Sequence, residues 1–413
     1  MEIRKIKDSE INEFVEIQLN AYPKENLTNE QKEKTVASYD GFRKKASEIA
    51  EFVALFDEGI MKGCMILYRY RMNVRYSMIN AGGIGSVAVH TLYRKEKVCR
   101  HLIEYAHTYF SGKGIHLSFL YPFRTDFYYK MGYGFGTRKD RYEISPAAFP
   151  NGGNKKNIEF LKKDEINLMI DSYNKFMKSK NGLCIKYTQE FERYFGNPAF
   201  NIIGFKNNGK IDAYCIYKFV SASKNNFIKN NIEIIRLVYN TKNAFNGVME
   251  YFRSLADQIN RIIINTQDDM LYHAFIDPRD GSDYIIPSVY HKIGCTGVGV
   301  MYRVVDFKEF FEETIGYFDK KNLTIKMTLK DDFIEKNDGI FYIDFDSKLV
   351  SSEGENYDYH LKTDIQTISS ILMGAFDMRS AVEMGKIEID NEEGLNTLQN
   401  LFYIAKPLCM EDF

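Results

Sequence analysis

The 413-residue chain has no tryptophan, no Cys-x-x-Cys pair and no surplus of charge of either sign. With 55 Lys and Arg against 56 Asp and Glu the net charge is −1, so no global basic field exists to hold a nucleic-acid backbone, and no nucleic-acid partner is expected. Its six cysteines (Cys64, Cys99, Cys184, Cys215, Cys295, Cys409) are scattered without zinc or thiol-redox spacing, and four sit in apolar, strand-like runs that suit buried thiols. The seven histidines are dispersed, and His101 and His107, six apart, do not have a metal-binding spacing, so no metal is expected. No uninterrupted apolar stretch reaches about 18 residues, and the opening MEIRKIKD is charged without an apolar leader core. A cytoplasmic protein without a membrane partner is the expectation. The bias toward Lys, Ile, Asn, Tyr and Phe with Trp absent reads as the imprint of an AT-rich genome.

What is present is the balance of a globular protein, 45% hydrophobic and 27% charged, and the length suits two or three domains at about 150 residues each. MEIRKI alternates like a strand, and Ser9 is placed to cap a helix with Ile11, Phe14, Val15 and Leu19 on one face. FVALFD, CMILYRYRMNV and SMINAGGIGSVAV then read as three consecutive antiparallel strands. The basic turn HTLYRKEK leads into a helix carrying Val98, Leu102, Ile103, Ala106, Tyr109 and Phe110, ended by Gly112, and a strand IHLSFLYP follows. Gly82, Gly83 and Gly85 lie inside a strand and are expected to mark a bulge, not a phosphate loop.

The same plan recurs without residue identity. NIIGF, IDAYCIYKF and IEIIRLVY give three strands, followed by a helix with Phe245, Val248, Met249 and Phe252 on one side and the strand RIIIN. Its connection, NTKNAFN, has one base where the first copy has Arg94, Lys95, Lys97 and Arg100, so a duplicated fold with one phosphate site is expected. From about Gly299 the style changes again: LTIKMTLK alternates strictly, Asn337-Asp338-Gly339 is a hairpin signal and IFYIDF resumes the strand. Helices with Ile365, Ile368 and Leu372, and with Leu398, Leu401 and Phe402, are expected to cover that sheet.

The densest chemical signal is Val87-Ala88-Val89 followed by Tyr93 to Leu102. A strand that splays, then a turn opening a helix, sets backbone N–H groups and a positive helix end around a pyrophosphate. This stretch resembles motif A of the GNAT acetyltransferase superfamily, V-x-V followed by R/Q-x-x-G-x-G/A, with Lys97 and Cys99 at the two glycine positions. Tyr121-Pro122 and Phe127-Tyr128-Tyr129-Lys130-Met131-Gly132-Tyr133-Gly134 further resemble a segment of the Eis (enhanced intracellular survival) N-acetyltransferases.

The resemblance implies an α/β (α+β) chain of two tandem GNAT folds, the second degenerate, and a sterol-carrier-protein-like α+β domain, over 1–150, 151–290 and 291–413. It implies acetyl-CoA as co-substrate, held by Val87, Ala88, Val89, Lys95, Glu96, Lys97, Val98, Cys99, Arg100, Phe123 and Arg124. It also implies Tyr128 as general acid, a catalytic α-carboxylate on the aromatic last residue Phe413, and a homo-oligomer, a hexamer. The expected acceptor is the primary amine of a small polyamine-like or aminoglycoside-like molecule. Two other readings stay open: a ligand- or lipid-binding protein with a decayed site, and an acetyltransferase acting on protein lysines or N-termini.

Overall fold

The computed structural model describes residues 1–23, 27–318 and 322–411, which pack as two compact units. The first comprises Met1–Gly136, Val300–Lys406 and Glu411; the second comprises Thr137–Gly299 and Pro407–Met410.

The first unit begins with β1 (Glu2–Lys5), α1 (Ile11–Ala21) and α2 (Asn29–Lys45). The expected cap Ser9 lies instead inside a 3-10 turn, Asp8–Glu10, that runs into α1, and the Glu10 carboxylate closes the start of that turn by accepting the Lys7 N–H at 2.7 Å. Three antiparallel strands follow, β2 (Ala50–Asp57), β3 (Ile60–Val74) and β4 (Ser77–Val89). Then come α3 (Val98–Ser111), β5 (Leu117–Leu120), the one-turn α4 (Thr125–Tyr129) and β6 (Gly134–Phe135). Valine, leucine and isoleucine at helical spacing on α3 (Val98, Leu102, Ile103) join Val53, Leu55, Met65 and Leu67 of the sheet in one buried core.

β4 carries the feature that shapes the site. Its register with β3 runs regularly to Ile66↔Gly85 and resumes at Cys64↔Ala88, so Ser86 and Val87 both stand opposite Met65. That is a bulge, with Ser86 at φ +51°. Of the glycines expected to mark a bulge, Gly85 directly precedes it, while Gly82 and Gly83 lie in regular strand. Gly82 and Gly83 pair regularly with Arg69 and Tyr68, and a Cβ at Gly82 would stand 2.6 Å from the Phe110 ring, one at Gly83 2.8 Å from Tyr70. They let rings lie close to the strand. On its other side β4 pairs with β5 only from Ala81↔Leu117 to Ile84↔Leu120, so residues 85–89 continue alone past that edge.

The second unit contains β7 (Lys139–Ile144), β8 (Ile158–Phe160), α5 (Ile166–Lys178), α6 (Thr188–Phe195), β9 (Phe200–Asn207), β10 (Lys210–Ser221), β11 (Asn230–Tyr239), α7 (Lys242–Arg253) and β12 (Ile259–Thr266). A two-stranded ribbon, β13 (Ile285–Ile286) and β14 (Tyr290–His291), precedes β15 (Gly294–Gly297).

Back in the first unit, β16 (Met301–Val304) and α8 (Phe307–Thr314) lead to β17 (Thr324–Lys330), β18 (Gly339–Asp344), β19 (Leu349–Ser351) and β20 (Tyr359–Asp364). α9 (Ile365–Leu372), α10 (Met378–Glu383), β21 (Ile387–Ile389) and α11 (Leu395–Phe402) complete it. These strands form a sheet ordered β19-β18-β17-β20-β21. β17 and β18 pair antiparallel as read, yet Asn337 is no part of a tight hairpin turn. Its side chain is buried, accepting the Phe307 N–H at 2.9 Å and donating to Val305 O at 3.1 Å and Asp331 Oδ2 at 3.0 Å.

The first unit's larger sheet has the order β1-β2-β3-β4-β5-β16-β6. The second unit's sheet, β8-β9-β10-β11-β12-β7-β15, repeats it position for position. In each, the slot beside the fifth strand is filled out of chain order: by β16, which follows the whole second unit, in the first sheet, and by β7, which precedes β8, in the second. β7 falls within 1–150 by sequence but pairs with β12 and β15. Among the described residues no helix is long and apolar enough to cross a membrane.

Candidate active site

A cavity of about 710 Å³ opens where β4 runs past β5, in the first unit. Val87, Ala88 and Val89 form one wall, and the turn and first residues of α3 form the next, with Lys95, Lys97, Val98, Cys99 and Arg100. Phe123 and Arg124 face them from the segment before α4. Of the residues singled out for acetyl-CoA, Glu96 alone is not on the wall; its carboxylate is turned toward Lys62 Nζ at 3.4 Å.

The turn is built for an anion. Lys97, the N-cap of α3, has φ +62° and supplies no side-chain cap, so the helix's first N–H groups have no capping acceptor from that residue. A left-handed backbone is what glycine provides most readily, and Lys97 adopts it at the position where the motif has its first glycine. Arg94, Lys95, Lys97, Arg100, Arg124 and Lys130 bring six cations to the wall, and no carboxylate is among its described lining residues. Arg100 and Arg124 are partly neutralised by Glu104 at 2.8 Å and Asp126 at 2.5 Å. The corresponding helix of the second sheet, α7, is closed: Thr241 Oγ1 accepts the Ala244 N–H at 3.2 Å.

Tyr128, on α4, is 2% exposed and does not itself line the cavity. Its ring meets Phe127 and Phe123 edge-on, with centroids 5.4 and 6.2 Å away, and both of those rings are on the wall. Burial, reinforced by Cys99, Tyr22 and Tyr133, pushes its phenol well above the usual tyrosine value, so it keeps its proton. Behind it Tyr133 Oη sits 3.0 Å from His107 Nε2 and 2.9 Å from Ser118 Oγ, a buried polar chain. Burial drives His107 well below the ordinary histidine range, hence neutral. Cys99 is half-buried and its thiol is pushed up to about 12 by desolvation, which makes it a wall residue and no nucleophile. Phe413 lies outside the described residues. The segment before it is held: Leu408 N–H donates to Asn181 O at 2.8 Å, Cys409 N–H to Gln267 Oε1 at 2.6 Å, and the buried Lys186 Nζ to Met410 O at 3.1 Å.

Tyr93, Arg94, Phe127, Lys130 and Met131, on the wall too, stand in the motifs without an expected contact, and the sequence pointed to none of Ala21, Tyr22 and Phe333. Phe333 comes from the 331–338 connection between β17 and β18, more than 200 positions from α3, and its ring lies 5.2 Å from the Arg100 guanidinium. Nothing local in its sequence points to that wall.

Residues 2–136 match the acetyltransferase (GNAT) domain family, and residues 308–410 match the sterol carrier protein domain family. Residues 2–136 therefore carry an acetyltransferase (GNAT) domain. That domain implies acetyl-CoA as co-substrate, and the fit is physical: cations and an uncapped helix for the phosphates, and beside them a strand end that has left its β5 neighbour. No curated protein is significantly similar in sequence. Among solved structures the fold is shared over whole chains. A GCN5-related N-acetyltransferase from Anabaena variabilis ATCC 29413 matches at 16% identity and TM-score 0.80, with 100% of each chain covered. A conserved protein from Enterococcus faecalis V583, described as a probable N-acyltransferase, matches at 18% identity and TM-score 0.79, covering 100% of this chain and 99% of that one. Eis1 from Mycobacterium abscessus matches at 15% identity and TM-score 0.75, with 100% of each covered.

Proposed function

We propose that the chain transfers acetyl from acetyl-CoA to the neutral primary amine of a small polyamine-like or aminoglycoside-like acceptor. The observation that carries the reading is the basic, uncapped start of α3 beside the splayed end of β4. The turn's cations and N–H groups hold the phosphates, and the backbone near Val87 meets the thioester carbonyl.

The amine nitrogen attacks the carbonyl carbon, the C–S bond breaks, the thiolate takes a proton from Tyr128, and the phenolate regains one from solvent before the next turnover. Burial keeps the Tyr128 phenol protonated, as the proposed acid must be. The proton lost by the amine leaves through a water oriented by the α-carboxylate of Phe413. A carboxylate with a pKa of about 3.5 is too weak a base to take it unaided. In this reading the second GNAT-like fold binds no cofactor, the sterol-carrier-type domain delivers the C-terminus, and the three-part division at about 150 and 290 and a hexameric assembly belong to the same proposal.

The left-handed Lys97 favours this over a decayed site, since the turn keeps the backbone shape that the motif glycine serves. Thermal unfolding of the full chain with acetyl-CoA, CoA and a panel of amines tests it. Stabilisation by both CoA forms is expected; a midpoint moved by neither would contradict it.

A further inference from the structure

Gln18 is a polar residue on the buried face of α1, among Phe14, Val15 and Ile17. A buried amide must be hydrogen-bonded or it destabilises the fold. Its Nε2 donates to the Ser86 carbonyl and stands 3.3 Å from Cys64 Sγ. One helical turn on, Tyr22 Oη donates to the Val87 carbonyl at 2.6 Å, and its own N–H is held by Gln18 O at 3.0 Å. The two residues of the β4 bulge therefore have both their carbonyls gripped by side chains of one helix face.

Peptide planarity gives this grip a consequence. In a trans peptide the N–H points opposite to the preceding C=O, so fixing Ser86 O toward Gln18 turns the Val87 N–H away from α1. Val87 lines the cofactor cavity, as does Tyr22. With Ser86 at φ +51° the bulge is a conformation that a serine holds only when its surroundings over-determine it.

We propose that Gln18 and Tyr22 are positioning residues that lock the Ser86–Val87 bulge and aim the Val87 N–H at the acetyl carbonyl. The inference rests on the acetyl-CoA reading above. It makes a distinction that packing alone does not: the aimed N–H meets the acetyl group, which CoA lacks, so loosening the clamp penalises acetyl-CoA and spares CoA.

The test measures acetyl-CoA and CoA affinity by calorimetry, with kcat, for the full chain, Gln18→Met and Tyr22→Phe. Gln18→Met keeps the volume, and the half-exposed Tyr22 loses only its hydroxyl. The preference for acetyl-CoA over CoA is expected to fall about fivefold, the worth of one neutral hydrogen bond, and kcat by about tenfold, with CoA affinity within twofold. Equal losses for both ligands, or no change in either with kcat intact, would overturn the clamp. Should Gln18→Met fail to fold, Tyr22→Phe alone decides. If the unmodified chain binds neither ligand, the acetyl-CoA reading falls and the clamp with it, and no variant is needed to see that.

Discussion

Arg303 Nη2 lies 2.6 Å from Asp331 Oδ2 with both side chains fully buried, and Arg303 Nη1 donates to Met131 O at 2.6 Å. The pair joins β16 to the connection that carries Phe333, and it reaches the chain three residues after Tyr128. Gly132, at φ +84°, leaves room for it: a Cβ there would stand 1.1 Å from Arg303 Nη1. Breaking one partner of a buried pair strands a charge. Asp331→Asn is therefore expected to lower the unfolding free energy by about 3–5 kcal/mol, and Arg303→Met with Asp331→Leu by clearly less. Urea unfolding measures both, and a single variant no worse than the double would contradict this.

Lys97 holds a left-handed backbone that costs a non-glycine residue about 1–2 kcal/mol. Lys97→Gly and Lys97→Ala remove the same charge, so their difference isolates the strain. Lys97→Gly is expected to be the more stable by about 1 kcal/mol in denaturant titrations, the reverse of the order inside a helix. Equal stability, or a more stable alanine variant, would remove the argument that the motif's shape survives its missing glycine.

Much of this was legible in advance. β1 to β5, β9 to β12, α3 and α7 stand where periodicity placed them, because alternation and 3.6-residue spacing are local properties. α2 was not read: it is mostly polar, its few apolar residues Val36, Tyr39 and Phe42 are none of them fully buried, and the Thr28–Gln31 capping box is its clearest mark. The out-of-order places of β7 and β16 were not legible either, since both look like ordinary strands and nothing in six or four residues says which sheet receives them. In the site, the basic turn and the V-x-V strand were readable as contiguous runs. Phe333 and the Gln18–Tyr22 grip were not, because they depend on packing between distant segments.

Tyr128→Phe is expected to lower kcat about a hundredfold while acetyl-CoA affinity stays within twofold, the mark of a lost acid with ring packing kept. The sign of the pH dependence follows from burial. A phenol raised above its usual 10.0 stays protonated below that pH, so the wild-type kcat is expected to show no alkaline fall from this group below about pH 10. A kcat within twofold in the phenylalanine variant would remove Tyr128 from the reaction.

A chain end is ordinarily mobile and tolerant of additions, but here Leu408, Cys409 and Met410 are tied by main-chain hydrogen bonds and Glu411 is buried. Residues appended after Phe413 turn its α-carboxylate into an amide. We expect a C-terminal tag to abolish turnover while melting temperature and acetyl-CoA affinity match those of an N-terminally tagged control. Full turnover with the C-terminal tag would exclude the carboxylate from the mechanism.

The central claim is that one sheet of this chain, and not its repeat, binds acetyl-CoA and passes the acetyl group to an amine. Calorimetric titration of the full chain, followed by parallel assay of released thiol and acetylated amine, tests it most directly. The expected result is one acetyl-CoA per chain, thiol and N-acetyl product in equal amounts, and loss of both binding and turnover in Lys95→Glu/Lys97→Glu. Two bound molecules per chain, binding that survives the charge reversal, or thiol release without acetylated amine would contradict it.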